Sequence, residues 1–208
     1  GVFIAVTLNR QAKLLPEMLD MEAFFFPVVS RGDQKYGLAV LSRFKFIDVH
    51  CDTLPVLYPR LRMGLEKRGC IRITLETPAG PLLFFNTHLS LFRLERRRQI
   101  RALMGQSWLA AWPPGTGIIF CGDLNAGPLS PVYLRLSRLL ADVQKGLRNP
   151  ARPAATFPTR RPLIRIDHMF VSPILKILDV RVPRTADTRL ASDHLPLVAD
   201  LEFRPPDT

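Results

Sequence analysis

The most regular alternation of apolar and polar positions runs over 70–77. Ile71, Ile73 and Leu75 fall on one face, and Arg72, Thr74 and Glu76 on the other. That period of two predicts a half-buried strand. Pro78-Ala79-Gly80-Pro81 reads as a turn, and 82–87 returns as a more fully apolar strand, so the pair predicts a β-hairpin. Further apolar runs predict strands over 2–8, 24–29, 38–42, 46–50, 118–121, 166–172, 177–182 and 197–203, with Gly32 and Gly37 as punctuation. Helical spacing predicts a helix over 11–21, where Pro16 is tolerable only near the helix start. A longer helix is expected over 91–110, burying Leu94, Ile100, Leu103, Met104, Ser107 and Trp108 and exposing its arginines. Ser130-Pro131 is a third helix start, cap then first position, ahead of Val132, Leu136, Leu139 and Leu140. Residues 146–162 form a basic, proline-bearing loop. Strands and helices are intermixed and several strands are apolar throughout, which argues for an α/β (α+β) fold with sheets covered on both faces.

With 208 residues, 47% of them apolar and 23% charged, the chain suits one domain with a substantial core, expected to span 1–208. Cys51, Cys70 and Cys121 are far apart and odd in number, without metal-type spacing. They argue against a disulfide framework and for a reducing compartment, the cytoplasm. No apolar run approaches the ~20 residues that cross a bilayer. The opening Gly1-Val2-Phe3-Ile4-Ala5-Val6 reads as a strand already under way. Lys and Arg outnumber Asp and Glu by 29 to 18, a net +11. This excess favours nucleic acid, anionic lipid headgroups or phosphorylated metabolites as partners, or reflects a GC-rich coding sequence. A monomer is expected.

Four short polar motifs interrupt the apolar strands: Asn86-Thr87-His88-Leu89, Gly122-Asp123-Leu124-Asn125, Arg165-Ile166-Asp167-His168 and Ser192-Asp193-His194. Side chains at strand ends can converge on one sheet edge although distant in sequence. Gly-Asp-Leu-Asn is also good turn chemistry by itself. His168, next to Asp167, should point to the opposite side of its strand and is left out of the site. His50 reads as structural or surface.

In this order and at these separations, the four motifs resemble the endonuclease/exonuclease/phosphatase superfamily, over about 36–203. The resemblance implies a four-layer sandwich: two mixed β-sheets packed face to face, with helices on the outer faces. It also implies a divalent-metal-dependent phosphoester hydrolase, nuclease-like, with Mg²⁺ or Mn²⁺ as cofactor. Mg²⁺ prefers carboxylate and amide oxygens and keeps waters of its own, and Asp123, Asn125 and Asp193 are such a ligand set. By the family pattern, Asp123 orients or deprotonates the attacking water, and Asn125 holds that water or a phosphate oxygen. His88 contacts the phosphate, His194 serves the phosphoryl group, and Asp167 orients His194.

Arg93, Arg96, Arg97, Arg98 and Arg101 follow His88, and Arg148, Arg152, Arg160, Arg161 and Arg165 precede Asp167. Arg93, Arg97 and Arg165 are the expected phosphate contacts, with Phe157 stacking on a base or headgroup or else packing on the core. Nucleic acid is the expected substrate. A lipid phosphodiester, a phosphomonoester and non-catalytic polyanion binding remain the alternatives, and an anionic membrane surface is the alternative partner.

The family has an earlier first strand, then a second ending in Gln-Glu, whose glutamate binds the metal. Here the first strand is absent and Val6-Thr7 takes the Gln-Glu place. Thr7 cannot supply the carboxylate charge, and loss of a central strand would expose a sheet edge.

Overall fold

The computed structural model describes residues 2–57, 66–146 and 153–204, and side chains from residue 14 onward with the exception of 31. The chain forms two compact units, Gly1–Pro114 and Gly115–Thr208.

In the first unit, strand β1 (Val2–Leu8) leads into helix α1 (Asn9–Leu19), then β2 (Glu22–Arg31) and β3 (Gln34–Ser42). These strands form an antiparallel sheet ordered β1-β3-β2. Strand β1 pairs only with β3 among the described residues, so it lies at an edge of this sheet. A second antiparallel set follows: β4 (Phe46–Thr53), β5 (Gly69–Thr77) and β6 (Gly80–His88).

Strand β3 sits between both layers. Ala39 and Leu41 pack with Met21, Leu15 and Phe25 beneath α1. The alternate side chains Leu38 and Val40 turn the other way, where β3 lies against β5 and β6. The buried amide Asn86 ties these layers, its Nδ2 donating to the Ala39 carbonyl at 3.1 Å. Burial on both faces is why β3 reads as an unbroken apolar run.

The hairpin β5–β6 keeps the expected alternation: Ile71, Ile73 and Leu75 are fully buried. Its turn is tighter than expected, because Gly80 already pairs with Thr77 and adopts φ +112°, open to glycine but not to L side chains. Gly32 sits in the β2–β3 turn, at φ +58°. Gly37, expected to punctuate, lies inside β3 instead. A Cβ there would collide with the Phe26 carbonyl of β2, beside an irregularity in the ladder between Pro27 and Val29.

Helix α1 begins two residues earlier than expected and carries Pro16 well inside it. It survives because proline removes only one N–H, and the Pro16 carbonyl still accepts from Met21 N at 3.1 Å. The expected long helix is shorter: α2 (Arg93–Leu103), then turns and a 3-10 turn at Leu109–Ala111. Its buried face is also different. Leu94 is exposed, whereas Glu95, Gln99, Ile100 and Leu103 are buried. The two polar side chains anchor backbone: Glu95 Oε1 accepts from Leu57 N, and Gln99 Oε1 from Ser90 N. Buried polar groups with such partners can replace apolar ones on a core-facing stripe.

In the second unit, β7 (Gly117–Asp123) is followed by α3 (Pro131–Leu136), β8 (Ala141–Asp142) and β9 (Asp167–Val171). Strand β9 pairs with β7 on one side and β8 on the other, both antiparallel. Ser130 caps α3 as expected, its Oγ accepting from Tyr133 N at 3.2 Å. Val132, Leu136 and Leu140 are buried, but Leu139 lies past the helix end and is exposed. Strands β10 (Leu175–Arg181) and β11 (Val198–Phe203) form a separate antiparallel pair, with the short helix α4 (Ala186–Ala191) between them. The short β8 and α4 were not legible in the sequence pattern. All three cysteines are free, as expected. The class is the expected one, an α/β fold of mixed β-sheets with few helices.

Candidate active site

Ladder register places the first two acidic side chains. Asp123 ends β7 and Asp167 begins β9, and they are directly opposed partners. Next along the ladder, Gly122 opposes His168. Asp123 is buried and Asp167 half-buried. Beyond β7 the backbone turns sharply. Asp123 Oδ1 accepts from Asn125 N at 2.8 Å, an Asx turn, and Asn125 takes φ +47°, a left-handed conformation that asparagine tolerates. Leu124 N donates to the Ile166 carbonyl, which joins this turn to the entry of β9. Turn chemistry and site chemistry therefore occupy the same motif.

His194 closes the group. Its Nδ1–H donates to Asp167 Oδ2 at 2.8 Å. Ligand atoms of Asp123, Asp167 and His194 all lie within 4.8 Å of one another. The hydrogen bond that His194 donates to Asp167 raises the His194 pKa above its ordinary value; partial burial opposes this, and the charges of Asp167, Asp123 and Asp193 add to it.

The turn that presents His194 is tied down by Thr159. Its backbone N–H donates to the Asp193 carbonyl and its Oγ1 to the Ser192 carbonyl, both at 2.8 Å. His194 N donates in turn to Ser192 Oγ. Phe157 packs against the imidazole, ring centroids 4.7 Å apart. It thus lies at the site, against His194. Thr159 carried no signal of its own, since a threonine after a proline suggests only a turn.

Asp193 is exposed, and its carboxylate lies outside the Asp123–Asp167–His194 group. Two donor sets for a divalent ion thus compete. A histidine that binds metal must be neutral. His194 Nδ1 is engaged by Asp167, which leaves Nε2 to meet a proton, a phosphoryl oxygen or the ion. Asp123, with the hard amide oxygen of Asn125 two residues on, fits a hard cation.

Arg165 departs from expectation. It is buried, and its Nη2 is paired with Asp142 Oδ2 behind the site. Its guanidinium carbon lies 5.5 Å from the Tyr133 ring centroid. Tyr133 donates to the same carboxylate, and burial first, then that bond, pushes its phenol up to about 12. A buried carboxylate requires a counter-charge, and Arg165 supplies it instead of gripping substrate. His168 completes this inner layer. It is buried as its alternation required, and its Nε2–H donates to the Ala126 carbonyl at 2.8 Å. Burial pulls its pKa down to about 4.

His88, Arg93, Arg97 and Thr7 belong to the first unit. His88 ends β6, half-buried, with Nδ1 3.3 Å from Arg68 Nη1. It lines a cavity of ≈ 190 Å³ with Val28, Tyr36, Leu38, Lys67 and Arg68. Arg93 and Arg97 are exposed on α2. Thr7 lies in β1 opposite Gly37, and its side chain falls outside those described. Arg148 and Arg152 also lie outside the described residues. His50 packs on Trp108, ring centroids 4.7 Å apart, as a structural residue would.

Comparison with known proteins gives a consistent result. The family described as "Endonuclease/Exonuclease/phosphatase family" matches residues 6–194. The uncharacterized protein YbhP of Escherichia coli is 30% identical over 175 residues, covering 81% of this chain and 63% of that protein. The chain therefore spans under two thirds of the curated relatives it matches. A functionally unknown conserved protein from Enterococcus faecalis superposes with a TM-score of 0.77 at 20% identity, covering 98% of this chain and 85% of that one. A mannosyl-6-phosphatase from Bacteroides thetaiotaomicron gives 0.75 at 20% identity, over 96% of this chain and 85% of that one. At such identity the two solved structures show the shared fold.

Proposed function

The chain belongs to the endonuclease/exonuclease/phosphatase family, and from that premise we propose that it is a divalent-metal-dependent phosphodiester hydrolase. The observation that carries this reading is the convergence of Asp123, Asp167 and His194, with Asp167 holding His194 by Nδ1. Asp123 would hold the cation with Asn125 and Asp193, Mg²⁺ or Mn²⁺ being the ions such oxygens suit. When bound, the ion supplies charge neutralisation at the phosphoryl group and a more acidic water.

The protein's own groups do the rest. Asp123 orients the attacking water or takes its proton. Asp167 fixes the His194 tautomer and favours the imidazolium, so Nε2–H is available to donate to a phosphoryl or leaving oxygen. Thr159 and Phe157 keep the imidazole in place.

The test is hydrolysis of bis(p-nitrophenyl) phosphate and of supercoiled plasmid, with Mg²⁺, with Mn²⁺ and with EDTA, beside Asp123→Ala. Metal-dependent turnover that the substitution abolishes supports the reading. No turnover from folded protein in either metal would sink it. Nicked plasmid would identify nucleic acid as a substrate.

A further inference from the structure

Asn125 stands at φ +47° between two buried residues, Leu124 and Ala126. A left-handed conformation is unfavourable for any residue but glycine, and it persists where the surroundings fix it. Two hydrogen bonds reach this turn from β9 and its entry, one on each side of Asn125. Leu124 N donates to the Ile166 carbonyl at 2.9 Å, and the Ala126 carbonyl accepts from His168 Nε2–H at 2.8 Å. The two partners flank Asp167 in the chain.

Packing alone does not account for an imidazole at position 168. The side chain is 2% exposed, and its ring centroid lies 5.1 Å from that of Tyr133 and 5.9 Å from that of Phe170. An apolar ring would suit such aromatic surroundings and leave no polar atom behind. The imidazole does leave one. Burial keeps it neutral near neutral pH, so Nε2, which donates to Ala126, carries its single proton. Nδ1 is then a bare acceptor, buried and without a protein donor among the described residues. A buried acceptor left unmatched opposes folding. What the histidine supplies in return is a donor aimed at the residue after Asn125.

Adjacent residues of one strand thus hold two parts of the site. Asp167 holds the loop that carries His194, and His168 holds the turn that carries Asn125. Alternation along β9 sends one towards the reactive group and the other beneath it.

We propose that His168 is a positioning residue: through the Ala126 carbonyl it holds Asn125 in the backbone conformation from which its amide serves the cation. The service to a cation rests on the hydrolase reading, whereas the clamp on the turn does not.

Two substitutions test it. His168→Phe keeps a ring among Tyr133 and Phe170 and removes the donor. His168→Gln returns an amide N–H close to the place of Nε2. In EDTA, hydrogen exchange followed by NMR reads the Asn125 amide, which donates to Asp123 Oδ1 in the wild type. Its exchange is expected to quicken about tenfold or more in His168→Phe while amides of the β7–β9 ladder keep their rates, and to recover in His168→Gln. Mn²⁺ affinity is expected to fall about tenfold to a hundredfold in His168→Phe. The kcat for bis(p-nitrophenyl) phosphate should fall by a similar factor, with KM changed far less, and glutamine should restore most of both. A residue that only packs would raise exchange throughout the ladder and would gain nothing from glutamine over phenylalanine.

Three results would overturn the proposal. One is a folded His168→Phe with wild-type exchange at Asn125 and wild-type Mn²⁺ affinity. Another is a folded His168→Gln that recovers neither. The third needs no variant: ¹⁵N shifts that put the His168 proton on Nδ1 in the wild type would leave Ala126 without its donor. Wild type lacking metal-dependent turnover would sink the hydrolase reading instead, and the exchange rates in EDTA would still decide the clamp.

Discussion

His194 Nδ1 lies 2.8 Å from Asp167 Oδ2, and this contact links a loop turn to the first residue of β9, a strand paired on both sides. The carboxylate does two things for the imidazole: it fixes the tautomer and raises the pKa.

Asp167→Asn should undo the second effect and leave the first partly intact. The His194 titration, followed by NMR in EDTA, should move downward. Turnover of a soluble phosphodiester should fall by about 10²-fold or more in kcat, with KM changed far less. An unchanged kcat would remove His194 from proton chemistry.

His168 makes stability depend on pH. Its folded pKa of about 4 is depressed by burial from an unfolded value near 6.5. The unfolded chain therefore binds more protons between these values, and stability falls as pH falls. This contribution is intact above pH ~6.5 and is lost progressively towards pH ~4, by about 3 kcal/mol in all. Urea unfolding across that range measures it. The NMR titration of His168 in the folded chain should show no midpoint above pH ~5.

Arg165 offers a discriminating substitution. Arg165→Met leaves the Asp142 carboxylate buried without its counter-charge, so a stability loss of about 3 kcal/mol or more is expected by urea unfolding. The KM for a soluble phosphodiester should stay near the wild-type value. A raised KM with unchanged stability would return Arg165 to the substrate.

Gly37→Ala tests the close approach of β2 and β3. The added Cβ meets the Phe26 carbonyl, which belongs to a paired strand and cannot move alone. A loss of about 2 kcal/mol is expected. At Gly80, in a turn with open space around it, the cost of alanine should come from backbone strain alone.

Much of this was legible in the chain itself. The hairpin over 70–87 announced itself by alternation, and Ser130-Pro131 by capping chemistry. The α/β class followed from intermixed elements. The grouping of Asp123, Asp167 and His194 was legible too, because each closes or opens an apolar run with an abrupt polar residue. Less visible were groups whose role depends on what lies opposite. Leu94 and Glu95 exchange their expected places because Glu95 finds the Leu57 N–H, a partner 38 residues away. Arg165 sits in a basic run, yet Asp142 draws it inward.

The β7–β9 ladder has one more implication. Asp167 and His168 are sequence neighbours facing opposite sides, one towards the reactive group and one into the interior. Sliding β9 by one residue would exchange them, placing an unpaired carboxylate where His168 is buried and an imidazole opposite Asp123. Pairing errors here would thus damage folding and chemistry together, so selection for a sound interior also proofreads the reactive face. Grafting this centre onto another scaffold would require copying both strands in register, with their inward side chains, and not just the polar residues that touch substrate.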